Sequence, residues 1–197
     1  MRNRKPNRWK DYNYSRNGLY FLTICTKNRR DYFGTIVGDN DRCSLQLSDI
    51  GIIAQTDWLA IPDHFNAAKL DEFVIMPNHI HGILIVDNGD DHSPTGNNPP
   101  VGNNDRCSLR GAGPRNMELI PKIISQYKSS VTREIRKQYG NHEFGWQKSY
   151  HDRIIRGEKS LNRIRNYIRN NPENWERDRN NIDRQSLSTA FGMKNKF

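Results

Sequence analysis

The sequence predicts an α+β fold, an antiparallel sheet with helices packed on one face. Three observations predict it: hydrophobic patterns in the order strand, helix, strand, strand, helix, strand; a Pro-Asn turn joining two apolar runs; and a long amphipathic stretch after them. Composition sets the outer bounds. The 197 residues carry 31 Lys+Arg against 22 Asp+Glu, a formal charge of +9, with a hydrophobic content of 34%. These values exclude an acidic, solvating tail protein and leave one domain with a modest core and polar segments attached. No apolar run approaches the ~20 residues that cross a bilayer, and the Arg-rich N-terminus lacks an apolar signal core, so no membrane partner is expected. Cys25, Cys43 and Cys107 are an odd number without C-x-x-C spacing, which supports neither a disulfide framework nor a zinc ribbon and fits a reducing cytoplasm.

Residues 1–17 are Arg, Asn, Lys and Tyr with almost no aliphatics, and read as a basic arm. Leu19-Tyr-Phe-Leu-Thr-Ile-Cys-Thr is β-branched and aromatic, which predicts a first strand buried on both faces in the middle of the sheet. Ser48-Asp49 precede Ile50, Ile52, Ile53, Trp58 and Leu59, predicting a capped helix near 48–60 that Pro62 ends. Leu70 to Met76, Pro77-Asn78 and His79 to Val86 predict a tight hairpin, because Pro presets φ at the first turn position and Asn tolerates the second.

Residues 87–116 replace aliphatics with Asn, Asp, Gly and Pro and read as a flexible insertion in a domain spanning 18–175, with a polar tail at 176–197. Asn104 to Leu109 repeats Asn40 to Leu45 word for word without similarity around either copy, so it is not a solenoid repeat. Ile120, Ile123, Ile124, Tyr127, Val131 and Ile135 recur at helical steps, predicting an amphipathic helix whose other face carries Lys122, Lys128, Arg133, Arg136 and Lys137. Phe144 to Ile155 reads as a strand, followed by a helix capped near Ser160 that closes around Asn171, before Pro172.

Two constellations stand out. His79 and His81 alternate with Ile80, so both imidazoles project from one face of the hairpin, where two adjacent rings can chelate a cation. Unpaired polar rings on an otherwise apolar strand are costly, which favours a ligand over a packing role. Tyr167 and Asn171, four apart, lie along one edge of the stripe formed by Leu161, Ile164 and Ile168. Arg153, Arg156, Arg163, Arg165 and Arg169 crowd the same neighbourhood and read as a charged track for a polyanion, in keeping with the basic charge and the aromatic content. Tyr150, on the predicted strand beside Trp146, is the competing tyrosine and reads as a packing residue.

Tyr20-Phe-Leu-Thr-Ile, Met76-Pro-Asn-His-Ile-His, Lys128 to Arg136, Trp146 to Arg156 and Tyr167-Ile-Arg-Asn-Asn-Pro172 together resemble the single-tyrosine HUH transposases, most closely the REP-associated tyrosine transposases. The resemblance implies a ferredoxin-like βαββαβ HUH domain followed by a tyrosine-bearing helix. It implies His79, His81 and Asn171 as ligands of a divalent Mg²⁺ or Mn²⁺ ion, and Tyr167 as the nucleophile. The implied function is cleavage and rejoining of single-stranded, hairpin-like DNA through a 5′-phosphotyrosine, in a cytoplasmic, nucleoid-associated protein. Lys128, Arg133, Arg153, Arg156, Arg163, Arg165 and Arg169 are the DNA-binding candidates. A non-catalytic protein that binds structured single strands is the alternative, and a homodimer stays open. An unrelated metallohydrolase of small substrates fits the charge and the arginine-rich helix poorly.

Overall fold

The computed structural model describes residues 17–39, 42–87 and 119–181. The basic arm apart from Asn17, nearly all of the insertion, Cys107 and residues 182–197 lie outside the described residues. Strand β1 (Gly18–Cys25) leads through a single 3-10 turn (Lys27–Arg29) to a hairpin of β2 (Gly34–Asp39) and β3 (Arg42–Leu47). Helices α1 (Asp49–Leu59) and α2 (Ile61–His64) follow, then β4 (Ala68–Met76) and β5 (His79–Val86). After the insertion come α3 (Leu119–Tyr139), β6 (His151–Ile155), α4 (Glu158–Arg169) and a 3-10 turn (Trp175–Arg177).

β4, β5, β1 and β6 form one four-stranded sheet in that order, every pairing antiparallel. With α1 and α3 as the crossovers, this is the ferredoxin-like arrangement, and β1 occupies its centre as the apolar run predicts. Alternation sorts the side chains into two faces. One set, Tyr20, Leu22, Ile24, Ile80 and Leu84, is fully buried beneath α1 and α3 with Trp58, Ile120, Ile123 and Val131. Gly82 makes room for the Trp58 indole, since a Cβ there would overlap the ring. The other set packs Ile83 and Ile155 against Ile164 and Ile168 of α4, with Leu19, Phe21, Val74 and Leu161 at the margin. The helices α1 and α3 share one face as expected, and the tyrosine-bearing helix covers the opposite one.

Ser48 caps α1 as the sequence predicts, its hydroxyl accepting from Gly51 N at 3.1 Å. Three local expectations are corrected. The strand read over 144–155 is confined to His151–Ile155. Phe144, Trp146 and Tyr150 belong instead to an irregular segment whose aromatic rings are anchored in the main core and which meets the end of β1 at the Thr26–Trp146 bridge, where Gln147 N donates to the Cys25 carbonyl at 2.9 Å. Aromatic burial, with no ladder, gives the same hydrophobic signature as a strand. The last helix starts at Glu158, with Gly157 at its N-cap in a positive-φ conformation of 79°, rather than at a cap near Ser160. The β2–β3 hairpin was not among the sequence-predicted elements; it is a separate two-stranded sheet, and the short alternation of Cys43, Leu45 and Leu47 with Ser44 and Gln46 is the signal that could have found it. Packing also continues past residue 175: Asp178, Asn180 and Asn181 are buried.

Candidate active site

The hairpin and α4 build the centre. In β5, His79 and His81 point to the α4 face, completely buried or nearly so at 0% and 2% exposure, with ring centroids 4.5 Å apart. Each ring is held from behind. The Asn78 side chain donates to the carbonyls of Arg29 (3.0 Å) and Asn180 (3.1 Å), so only its oxygen remains to accept from His79 Nδ1 at 3.0 Å. The His79 lone pair is therefore on Nε2, and that atom has no hydrogen-bond partner among the described residues. His81 Nδ1 lies 2.9 Å from Thr23 Oγ1 on the neighbouring strand, and the Phe21 ring stacks on the imidazole at 5.3 Å. Outer partners of this kind fix the orientation of metal-binding histidines.

Tyr167 reaches the pair from α4. Ile164 and Ile168 bury the helix stripe, and the half-exposed Tyr167 between them, at 45%, sets its hydroxyl 3.2 Å from His81 Nε2. Its ring meets Phe21 edge-on at 6.0 Å. Asn171, buried just past the helix end, donates from Nδ2 to Asp178 Oδ2 at 3.2 Å, while its Oδ1 has no hydrogen-bond partner among the described residues. Asp178 was not singled out in the sequence. Its Oδ2 lies 4.0 Å from His79 Nε2, and one ligand atom from each of His79, His81 and Asp178 falls within 4.8 Å of the others. The carboxylate is oriented by the Asn180 amide, which donates to Oδ1 at 2.6 Å. No periodicity distinguishes Asp178 from the charges around it; the one sequence signal is Trp175, an aromatic in an otherwise polar stretch, whose ring stacks on His79 at 6.0 Å.

Electrostatics keep the donors ready. Burial, aided by the charges of Arg29 and Arg179, pushes His79 down to about 3. Burial and then the neighbouring His79 hold His81 well below its usual value, so both rings are neutral near pH 7 with lone pairs available. The Tyr167 hydroxyl is raised, by burial first and then by the Asp178 charge, so the phenol is protonated at neutral pH. Arg29 follows Asn28 in the left-handed region, with φ of 52° and 58°. Each such residue costs about 1–2 kcal/mol, and the Asn78 amide is what ties the turn down.

The basic residues fall into two groups. Arg165 makes a two-pronged contact with Asp71, at 2.9 and 2.5 Å, and Arg169 pairs with Glu72. Both carboxylates sit at a register shift between Leu70 and Phe73, a bulge that aims them at α4, so these arginines dock the helix. Lys128 is turned inward, donating to Gln147 O at 2.9 Å, and burial lowers it to about 8. Arg133, Arg153, Arg156 and Arg163 are exposed, and Arg153 shares the sheet face of Tyr167. Tyr150 is buried beneath Lys128 in the main core, away from the histidines.

No family model matches the chain. Among solved structures it is similar to a REP-associated tyrosine transposase bound to a REP hairpin, at 17% identity and a TM-score of 0.49, over 84% of this chain and 72% of that one. It is also similar to a transposase candidate from Deinococcus radiodurans R1, at 17% identity and a TM-score of 0.42, over 83% and 97%. An uncharacterized protein of Haemophilus influenzae is 36% identical over 184 residues, 93% of this chain and 96% of its own length. With that identity across almost the whole of both sequences, this chain belongs to the same family as the Haemophilus influenzae protein.

Proposed function

We propose that the protein is a metal-dependent single-tyrosine transposase that cuts and rejoins single-stranded DNA next to hairpin-like repeats. One observation carries the reading: the Tyr167 hydroxyl stands 3.2 Å from His81 Nε2, at the edge of a buried cluster of metal-type donors. The fit to a cation is supported by two buried atoms without partners among the described residues, His79 Nε2 and Asn171 Oδ1, which would otherwise cost roughly 1–3 kcal/mol each. His79, His81 and Asp178 would hold the ion, with Asn171 Oδ1 as a further donor. Imidazole nitrogens suit Mn²⁺ better than Mg²⁺, while the carboxylate and amide oxygens accept either. The bound ion would polarise the phosphodiester as a Lewis acid.

The chain's own residues supply the rest. Asn78, Thr23 and Asp178 position the donors, and α4 presents the phenol to a substrate entering from the exposed side of Tyr167. In the cleavage step the Tyr167 oxygen forms a bond to phosphorus and releases its proton, the bond from phosphorus to the 3′ oxygen breaks, and that oxygen leaves with a proton as a hydroxyl. The phosphate ester is conserved in the 5′-phosphotyrosine, so a 3′-hydroxyl can reverse the step and rejoin strands without a nucleotide cofactor. Arg153, Arg156, Arg163 and Arg133 are the surface residues offered to the DNA backbone.

The test is adduct formation. Incubated with Mn²⁺ and hairpin oligonucleotides drawn from the DNA on either side of its gene, the protein should form a covalent species that survives denaturing electrophoresis. Tyr167→Phe should bind the same DNA and give no adduct; an adduct that persists in this variant overturns the assignment.

A further inference from the structure

In an in-line displacement the 3′ oxygen departs from phosphorus on the side opposite the attacking phenol, and it needs a proton there. Tyr167 stands over the boundary of β5 and β1, its hydroxyl 3.2 Å from His81 Nε2 and its ring edge-on to Phe21. Its helix is tied to β4 by the Arg165–Asp71 and Arg169–Glu72 pairs, while β6, at the other edge of the sheet, turns His151 and Arg153 to solvent. The ladder fixes what lies between. Thr23 pairs with His81 on one side and with His151 on the other. Directly paired residues share a face, and Thr23 Oγ1 lies 2.9 Å from His81 Nδ1, so His81, Thr23 and His151 form one row on the α4 face. With strands about 4.8 Å apart, the backbones of the two histidines are about 10 Å apart across Thr23, wide enough to admit a phosphodiester. We propose that His151 is the general acid of the reaction: with the scissile phosphate seated over Thr23, its imidazole meets the leaving 3′ oxygen while Tyr167 attacks from the His81 side.

The row leaves this task to one residue. Of the side chains that β6 turns to this face, His151, Arg153 and Ile155, only the imidazole can exchange a proton near neutral pH. His79 and His81 have Nδ1 engaged by Asn78 and Thr23, and their remaining nitrogens are the metal-type donors. His151 is exposed and its ring makes no hydrogen bond among the described residues, so both nitrogens can meet a substrate. The charges around it are Arg179, Arg29 and Asp152, with Arg153 two residues along the strand. Burial first, then the two arginines, hold the ring below its ordinary value, and Asp152 opposes them. A phosphodiester arriving on the same face brings negative charge that favours the imidazolium. In cleavage, Tyr167 Oη bonds to phosphorus and its proton passes to solvent. The electron pair of the breaking bond stays on the 3′ oxygen, which takes the proton of His151 and leaves a neutral ring. In rejoining, the neutral ring takes that proton back from the 3′-hydroxyl as it attacks the phosphotyrosine.

The proposal rests on the transposase reading, and the test separates the two. Adduct formation would be timed in single turnovers with Mn²⁺ on two hairpin oligonucleotides, one with the natural 3′ oxygen at the scissile position and one with sulfur bridging there. A thiol ionises near pH ~8.5, far below the ~15.7 of water, so a 3′ thiolate leaves without a proton. His151→Gln should slow cleavage of the oxygen substrate by about 10²-fold or more and leave the sulfur substrate at the rate of the unmodified protein. The side chain is exposed, so the variant should keep the urea midpoint, and His151→Asn should repeat the pattern. Equal slowing of both substrates would give His151 a role in shaping the site and overturn the general acid. An oxygen substrate cleaved by both variants at the unmodified rate overturns it too and leaves the transposase reading standing. If the unmodified protein forms no adduct with either substrate, both fall.

Discussion

On one face of the central sheet, Tyr20, Leu22, Ile24, Ile80 and Leu84 meet Trp58 and the stripe of α3; on the other, the same strands meet α4 with Ile83 and Ile155 at one end and His79 and His81 at the other. The first face is lined along β1 and β5 by apolar side chains apart from the Tyr20 hydroxyl, with Asp152 of β6 opposite Leu22 at its edge. The second is apolar only far enough to dock a helix, after which it becomes a buried polar cluster in which every oriented group has a partner behind it and several lack one in front. Most of the apolar packing and the metal-type donors thus lie on opposite sides of a single layer of backbone. The histidine face tolerates its buried polar atoms because the opposite face supplies most of the burial, at roughly 25 cal/mol per Å² of apolar surface removed from water.

The largest way to test this division is to hollow out the apolar face. Trp58→Ala should cost about 3–5 kcal/mol, a large share of a typical folding stability, read as a drop in urea midpoint with all activity lost above the lowered transition. His79→Leu should cost far less: cleavage disappears, and the metal-free protein should lose at most about 1–3 kcal/mol, because Asn78 Oδ1 loses the bond from Nδ1 while the nitrogen without a partner among the described residues is removed. A fall in melting temperature as large as that of Trp58→Ala would show that the two faces are not separable. Asp178→Asn sharpens the comparison within the polar cluster. Mn²⁺ should raise the melting temperature of the unmodified protein, by the equivalent of about 2.7 kcal/mol at a hundred times its dissociation constant, and chelator should reverse it. The variant should need at least tenfold more metal for the same shift; an unchanged titration would remove Asp178 from the ligand set.

The smallest expected effect lies at the docking of α4. The Arg165 contact, the largest influence on Asp71, holds its carboxyl below the usual carboxylate range. Its stabilising contribution is present above the unfolded value of about 3.9 and is lost as pH falls through the lower folded value. The unmodified protein should therefore exceed Asp71→Asn in urea midpoint at pH 6, with the gap closing below about pH 4. A gap that widened on acidification would contradict the pairing.

Much of this was legible in the sequence because it is written in local periods. The alternation of His79-Ile-His81, the Pro77-Asn78 turn and the helical steps of α3 and of Leu161, Ile164 and Ile168 fix strands, hairpin and helix faces over a few residues each. They also place Tyr167 beside Asn171 without knowledge of what either meets. The aromatic segment at 144–150 misled because ring burial and strand alternation leave the same composition behind. Arg165 and Arg169 read as a free basic track because the bulge at Asp71 and Glu72, which supplies their partners, depends on strand register and leaves no period of its own.

The sequence by itself determined the four strands of the central sheet in their core, the long helices and the faces they present, and that two imidazoles project side by side from a central strand, since these follow from side-chain periodicity within one element. Only the tertiary structure decided that α4 lies on the histidine face, that Asp178 returns from beyond the last helix to meet His79, and that Asn78 links Arg29, Asn180 and His79. Contacts between residues a hundred positions apart are set by how packed elements stack and where a chain end is buried, and neither is encoded in the period of any one segment.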